Sequence, residues 1–144
     1  MNKLSTIGYE TDTQGGMIGR LKAGEVELVV DVRAVASSRK AGFSKTLLGN
    51  SLKAEGIDYL HLQPLGTPKP GREAARAGRI DEMHRIFNAH LEEPAAQLAL
   101  AQATDLAKTR RIALLCYEDD PNCCHRTIVA NRIRETLKCE IVNL

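Results

Sequence analysis

Tryptophan is absent from this chain of 144 residues and aromatic side chains make up only 3% of it, which excludes modules that stack successive bases on several exposed rings. No apolar run approaches the roughly 18 residues of a membrane-spanning helix. Met1 to Thr6 lacks a basic start followed by a hydrophobic stretch, so neither membrane insertion nor export is expected. The net charge is only +2, too small to mark a non-specific nucleic-acid binder, so any function resting on positive charge has to be local. Neither a G-x-x-x-x-G-K-[ST] phosphate loop nor a G-x-G-x-x-G fingerprint occurs, which removes the two commonest nucleotide-binding readings.

What is present is ordinary globular composition, 43% apolar and 26% charged, at a length that suits one domain over residues 1–144. Four cysteines (Cys116, Cys123, Cys124 and Cys139) would suit disulfides in a small secreted protein. With no sign of secretion and enough chain to bury a core, they read as reduced thiols in cytoplasm.

Apolar runs alternate with helical periodicity. Leu4 to Ile7 reads as a strand, followed by a polar loop and a helix carrying Met17, Ile18 and Leu21 that Gly24 stops. Val26 to Val32 has the branching of a buried parallel strand. Ser44 is placed to cap a helix with Leu47, Leu48 and Leu52, and Ile57 to Leu62 follows as a third strand. Gln63 to Gly71 holds three of the five prolines and reads as irregular loop. Met83, Phe87 and Leu91 mark a helix from Ile80, and Pro94 starts another through Leu98 and Leu106, so two helices bridge one crossover. Arg111 to Cys116 is a fourth strand, Cys124 to Lys138 a helix, and Cys139 to Leu144 a last strand. The pattern predicts an α/β fold, a three-layer sandwich with a mostly parallel sheet of about five strands and helices on both faces, whose ligands bind at the edge where the strands end.

Several strand ends carry polar groups. From the end of the fourth strand through the loop to the next helix start run Cys116, Glu118, Asp119, Asp120, Cys123, Cys124, His125 and Arg126. A thiol in the first turn of a helix sits near unpaired N–H groups and the positive end of the dipole, so Cys124 reads as a nucleophile favoured by His125 and Arg126, or the helix start as an anion site. A packed small residue with Arg126 paired to Asp119 or Asp120 is the alternative. Glu118 is a general acid or base, or holds an arginine. Zinc is set aside because Cys123, Cys124 and His125 are adjacent and no C-x-x-C unit exists; no metal and no cofactor is expected.

Between residues 31 and 53, five basic side chains face one acidic one, a surplus twice the net charge of the chain. Arg33, Ser38, Arg39 and Lys45 form a cradle for phosphate, or a solvated basic face in which Asp31 and Arg33 pair. Phe43 reads as an exposed lid or a hydrophobic plug. Tyr59 and His61 lie at the end of the third strand, and Tyr9 and Glu10 at the end of the first; His61 is a proton carrier or a structural histidine.

Four ordered motifs resemble the family known as domain of unknown function 488. They are Thr6 to Glu10; Asp31-Val32-Arg33 with Ser38-Arg39 and Gly42 to Lys45; Gly56 to Tyr59 with Leu65-Gly66; and Cys116-Tyr117-Glu118 with Pro121 and Cys124-His125-Arg126. The resemblance covers almost the whole chain and implies an α/β fold and a motif set typical of a site, without an activity. Ala36 stands where relatives usually carry proline, which loosens the loop before Ser38.

The residues themselves suggest an enzyme acting on a phosphate-bearing small molecule or nucleic acid. Cys124, Glu118 and His125 would be catalytic, and Tyr9, Glu10, Arg33, Ser38, Arg39, Lys45, Tyr59, His61 and Arg126 would bind substrate. A non-catalytic nucleotide or nucleic-acid binding module is the alternative, and no membrane partner is expected.

Overall fold

The computed structural model describes residues 3–144. Short runs rich in Val, Ile and Leu form five strands: β1 (Lys3–Gly8), β2 (Leu28–Asp31), β3 (Asp58–His61), β4 (Ile112–Cys116) and β5 (Glu140–Asn143). They pair in the order β3-β2-β4-β1-β5, every pair parallel. Six helices connect them: α1 (Gln14–Ala23), α2 (Lys45–Ala54), α3 (Lys69–Arg76), α4 (Ile80–Leu91), α5 (Pro94–Thr109) and α6 (Arg126–Leu137). Among the described residues no helix is long and apolar enough to cross a membrane.

Alternation along the strands sorts the core into two layers. Ile112, Leu114 and Cys116 of β4 join Phe87, Leu91, Ala99 and Val129 on the face covered by α4, α5 and α6. Ala113 and Leu115 join Met17, Leu21, Leu48 and Leu52 on the face covered by α1 and α2. The three-layer α/β sandwich expected from the alternation of elements is thus the observed fold, with its sheet wholly parallel.

This topology decides where a ligand can sit. The chain from β1 through β2 to β3 builds one helical layer, then reverses to β4 and β5 and builds the other. β4 therefore leads into α6 on one face, while its neighbours β1 and β2 lead into α1 and α2 on the opposite face. The loops part above the end of β4 and leave a crevice.

Local chemistry explains the departures from the sequence reading. Gln63 to Gly71 is not irregular throughout: Gln63–Leu65 forms a turn of 3-10 helix and α3 begins at Lys69, with Pro70 in its first turn, where a missing N–H is no loss. Three helices, not two, therefore bridge β3 and β4. In α5 the inward positions are Ala96, Ala99, Ala103 and Ala107, small enough to bring the helix close to the sheet, while Leu98 is 73% exposed. Ser44 does occupy the N-cap of α2, but its hydroxyl accepts from the Ser38 N–H at 3.0 Å and gives the helix no hydrogen bond, tying the Ser38 loop down instead.

The N-cap of α1 is conventional: Thr13 accepts from the Gly16 N–H at 3.0 Å. Thr13→Ala is expected to lower stability by about 1 kcal/mol. A shift in the urea midpoint at constant slope checks it.

Candidate functional site

The crevice holds a cavity of about 770 Å³, lined from the segment after β1 by Tyr9 and Glu10, from the loop after β2 by Arg33, Ser38 and Arg39, and from the end of β4 and the segment leading into α6 by Cys116, Glu118 and His125. Arg72 and Arg76 of α3 and Met83 of α4 form the opposite wall. Its floor has two chemically distinct halves, one on each face of the sheet.

On the side of α1 and α2, Asp31 turns its carboxylate into the apolar layer and is fully buried, as Arg33 is to 95%. Burying two charges is tolerable only with nearly complete pairing. Arg33 donates from Nε to Asp31 Oδ1 at 2.9 Å, from Nη2 to Asp31 Oδ2 at 2.7 Å, and from Nη1 to the Tyr9 hydroxyl at 2.9 Å and the Phe43 carbonyl at 2.7 Å. The Tyr59 hydroxyl donates to Asp31 as well. Burial opposes the Arg33 charge but Asp31 outweighs it, so the guanidinium is held protonated. Burial pushes the Tyr9 and Tyr59 hydroxyls up, and for Tyr59 the Asp31 carboxylate adds to it, so both remain neutral. Phe43 is a buried plug rather than an exposed lid, stacked on Tyr9 at 4.2 Å between ring centroids. Of the two sequence readings of Arg33, a phosphate clamp or a partner of Asp31, the pairing is what these bonds describe.

On the side of α4 to α6 the floor is sulfur, imidazole and carboxylate. The Nε2–H of His125 donates to the Val32 carbonyl at 2.7 Å, which turns Nδ1 toward two sulfurs: Cys116 Sγ at 3.6 Å and Cys124 Sγ at 3.9 Å. The edge of Phe87 against the imidazole, 4.9 Å between centroids, fixes the ring plane. The Cys116 thiol, 3.3 Å from Glu118 Oε2, shares its one proton between that carboxylate and the Cys124 sulfur. The hydrogen bond to Cys124 and burial push Cys116 up. Burial would push Cys124 up too, but the hydrogen bond from Cys116 and the charges of His125 and Arg126 outweigh it and draw that thiol well below its ordinary value. His125 rises, since the Cys124 sulfur more than offsets burial. Burial and the same sulfur push Glu118 up to about 7.

Cys124 is not in the first turn of α6. It is extended, at φ −127° and ψ 142°, and precedes the N-cap residue His125. Its 1% exposure also puts it behind the cavity, whereas Cys116, at the end of β4, and Cys123 are the cysteines that line it. Arg126 is 2% exposed and donates to the carbonyls of Glu118 and Asp119, the latter at 3.1 Å. It supports the loop from beneath instead of pairing with Asp119 or Asp120.

Of the residues singled out from sequence, the cavity brings together Tyr9, Glu10, Arg33, Ser38, Arg39, Glu118 and His125. Cys124, Lys45, Tyr59, His61 and Arg126 are not among its lining. Lys45 is exposed on α2, and the His61 imidazole is held against the Arg33 carbonyl at 2.7 Å. Three of the other lining residues bear most on the chemistry and were not named as site residues from the sequence. Cys116 had a signal, since it ends a predicted strand; Arg72 and Arg76 stand four apart in Lys69 to Arg76, a spacing visible only once that segment is known to be helical.

No curated protein and no solved structure matches the chain. A family model does, over residues 15–133, a span that leaves out the first of the four motifs, Thr6 to Glu10. By that match the chain belongs to the family described as Domain of unknown function DUF488.

Proposed function

We propose that this protein is an enzyme acting on a phosphate-bearing substrate, a nucleotide or a nucleic-acid end, held in the crevice above β4. One observation carries the reading: Arg39, Arg72 and Arg76 line the cavity and, among the described residues, none has a carboxylate at ion-pair distance, while the other charges there are largely engaged. Glu10 accepts from the Asp119 N–H, Asp120 from the Asn122 N–H, and Arg33 is paired with Asp31. Three guanidinium groups without a carboxylate partner among the described residues, of which Arg72 gives one N–H to the Thr67 carbonyl at 2.9 Å, stand over a thiol, an imidazole and a carboxylate and suit an anionic group above reactive side chains.

In this reading Arg39, Arg72 and Arg76 grip the phosphate, the Ser38 loop shapes the entrance, and Tyr9 positions the substrate. Glu118 moves protons at the floor, beside the Cys116 and Cys124 sulfurs and the His125 imidazole. The four unpaired thiols fit work in reducing cytoplasm.

The test is calorimetric binding of 5′-phosphorylated mononucleotides and short oligonucleotides against their dephosphorylated counterparts. Phosphorylated forms should bind preferentially, and Arg72→Ala and Arg76→Ala should each weaken them about tenfold, the value of one charge-assisted hydrogen bond. Equal binding of both forms, or no loss in the double variant, overturns the reading. Binding without turnover of any bound compound would leave a recognition module rather than an enzyme.

A further inference from the structure

We infer that Cys116, Cys124 and His125 form a binding site for a thiophilic divalent cation of the zinc class, with its remaining coordination position turned toward the cavity. Cys116 Sγ, Cys124 Sγ and His125 Nδ1 all lie within 4.8 Å of one another, and the three residues are only 5%, 1% and 6% exposed. They come from two places 8 residues apart, the end of β4 and the approach to α6, so the fold itself closes the cluster.

Bond lengths give a quantitative check. Zinc–sulfur and zinc–nitrogen bonds of about 2.3 and 2.0–2.1 Å at tetrahedral angles place each sulfur about 3.5 Å from the nitrogen. The two separations here are 3.6 and 3.9 Å. The sulfur–nitrogen separations are thus close to those an ion requires, and with the two sulfurs within 4.8 Å of each other a side-chain shift of up to about 1 Å would complete the sphere.

The adjacency of Cys124 and His125 is no obstacle. Cys124 is extended and His125 helical, at φ −66° and ψ −17°, and the bend between them carries both side chains to the same point. Cys123 takes no part, since its sulfur is drawn to Asp120 Oδ2 at 3.6 Å. The imidazole is also oriented as metal-ligating histidines are, with the ring nitrogen remote from the cluster bonded to a backbone carbonyl, that of Val32.

Two sulfurs and a nitrogen select zinc, cobalt(II) or a similar borderline ion and reject magnesium and calcium, which take oxygen. Three protein ligands with a fourth position free for water or substrate is the arrangement of catalytic rather than structural zinc. Here Cys116, His125 and Glu118 line the cavity while Cys124 lies behind it, so the free position faces Glu118 and the open space. The inference does not depend on phosphate recognition: either can fail while the other holds, because the probe here is the metal alone.

The experiment is titration of the chelator-treated, reduced full-length protein with Co(II), followed by displacement with Zn(II). One Co(II) per chain is expected, with thiolate-to-cobalt charge-transfer absorption and tetrahedral d–d bands that Zn(II) abolishes. Cys116→Ser and Cys124→Ser should each weaken binding more than the ~100-fold that loss of a ligand's supporting partner costs, whereas Cys123→Ser should leave affinity unchanged. Because a serine at a buried position can impair folding, X-ray absorption on the zinc-loaded wild-type protein provides the second readout: two sulfur scatterers at about 2.3 Å and nitrogen at about 2.0 Å. A zinc shell of oxygen and nitrogen only, no stoichiometric binding, or a charge-transfer band that depends on Cys123 overturns the inference.

Discussion

Asp31→Ala is expected to lower the free energy of unfolding by about 3–5 kcal/mol, measured by urea denaturation. Asp31 is fully buried at the end of β2 and accepts from the Arg33 backbone N–H at 3.0 Å, from the Arg33 guanidinium twice over, and from the Tyr59 hydroxyl. Alanine removes every one of these acceptors and leaves the Arg33 charge, itself 5% exposed, beside apolar side chains with only Tyr9 and the Phe43 carbonyl to face. The penalty comes chiefly from that stranded charge, not from the net worth of the pair. The double replacement Asp31→Leu with Arg33→Met should therefore regain most of the loss. A single-variant effect below about 1 kcal/mol would contradict the account of this polar cluster.

The second large effect is steric. A methyl group added at Gly8 would meet the Glu118 carbonyl oxygen at 2.0 Å, its carbon at 2.6 Å and the Asp119 Cα at 3.0 Å, all of them backbone atoms. Gly8→Ala must therefore push the loop after β4 away from β1, breaking the bond from the Tyr9 N–H to the Tyr117 carbonyl, now 3.1 Å, and dislodging the carbonyls that Arg126 holds. A loss of about 3 kcal/mol is expected, near the upper end of what overpacking produces. Gly15→Ala and Gly19→Ala are the matched controls. Both lie in α1 with open space where the methyl would go, so each should gain about 0.5–1 kcal/mol. Equal tolerance at all three positions would mean that the β4 loop does not rest on Gly8.

The fold was largely legible because its strands are apolar runs that no amphipathic helix would carry: Leu28-Val29-Val30 and Ile112 to Leu115 are buried on both faces and read that way without any partner known. What escaped were features whose meaning depends on remote chain. Lys69 to Arg76 carries no large apolar residue, presenting only Gly71 and Ala74 inward, so the three prolines between Gln63 and Gly71 outweighed its helical spacing. Arg126 looked like an anion ligand because nothing local announces that carbonyls of residues 118 and 119 will fold over it. The same limit governed the sulfurs. Cys124 stands beside a histidine and close to an arginine in the sequence, whereas Cys116 gains His125 only across the gap between β4 and α6, and of these two it is Cys116 that reaches the cavity.

The position of β4 in the sheet bears on the order of assembly. β1 and β2 are not hydrogen-bonded to each other; both dock on β4, with Ser5 paired to Ala113 and Leu28 to Ile112. Until Ile112 to Cys116 has been translated and inserted, β1 has no neighbour on either side, because β5 comes later still, and β2 has only β3. A nascent chain cut short before that segment should thus hold little beyond the β2–β3 pair, and the rate-limiting step of folding should be the late entry of one central keystone strand at the expense of a long closed loop.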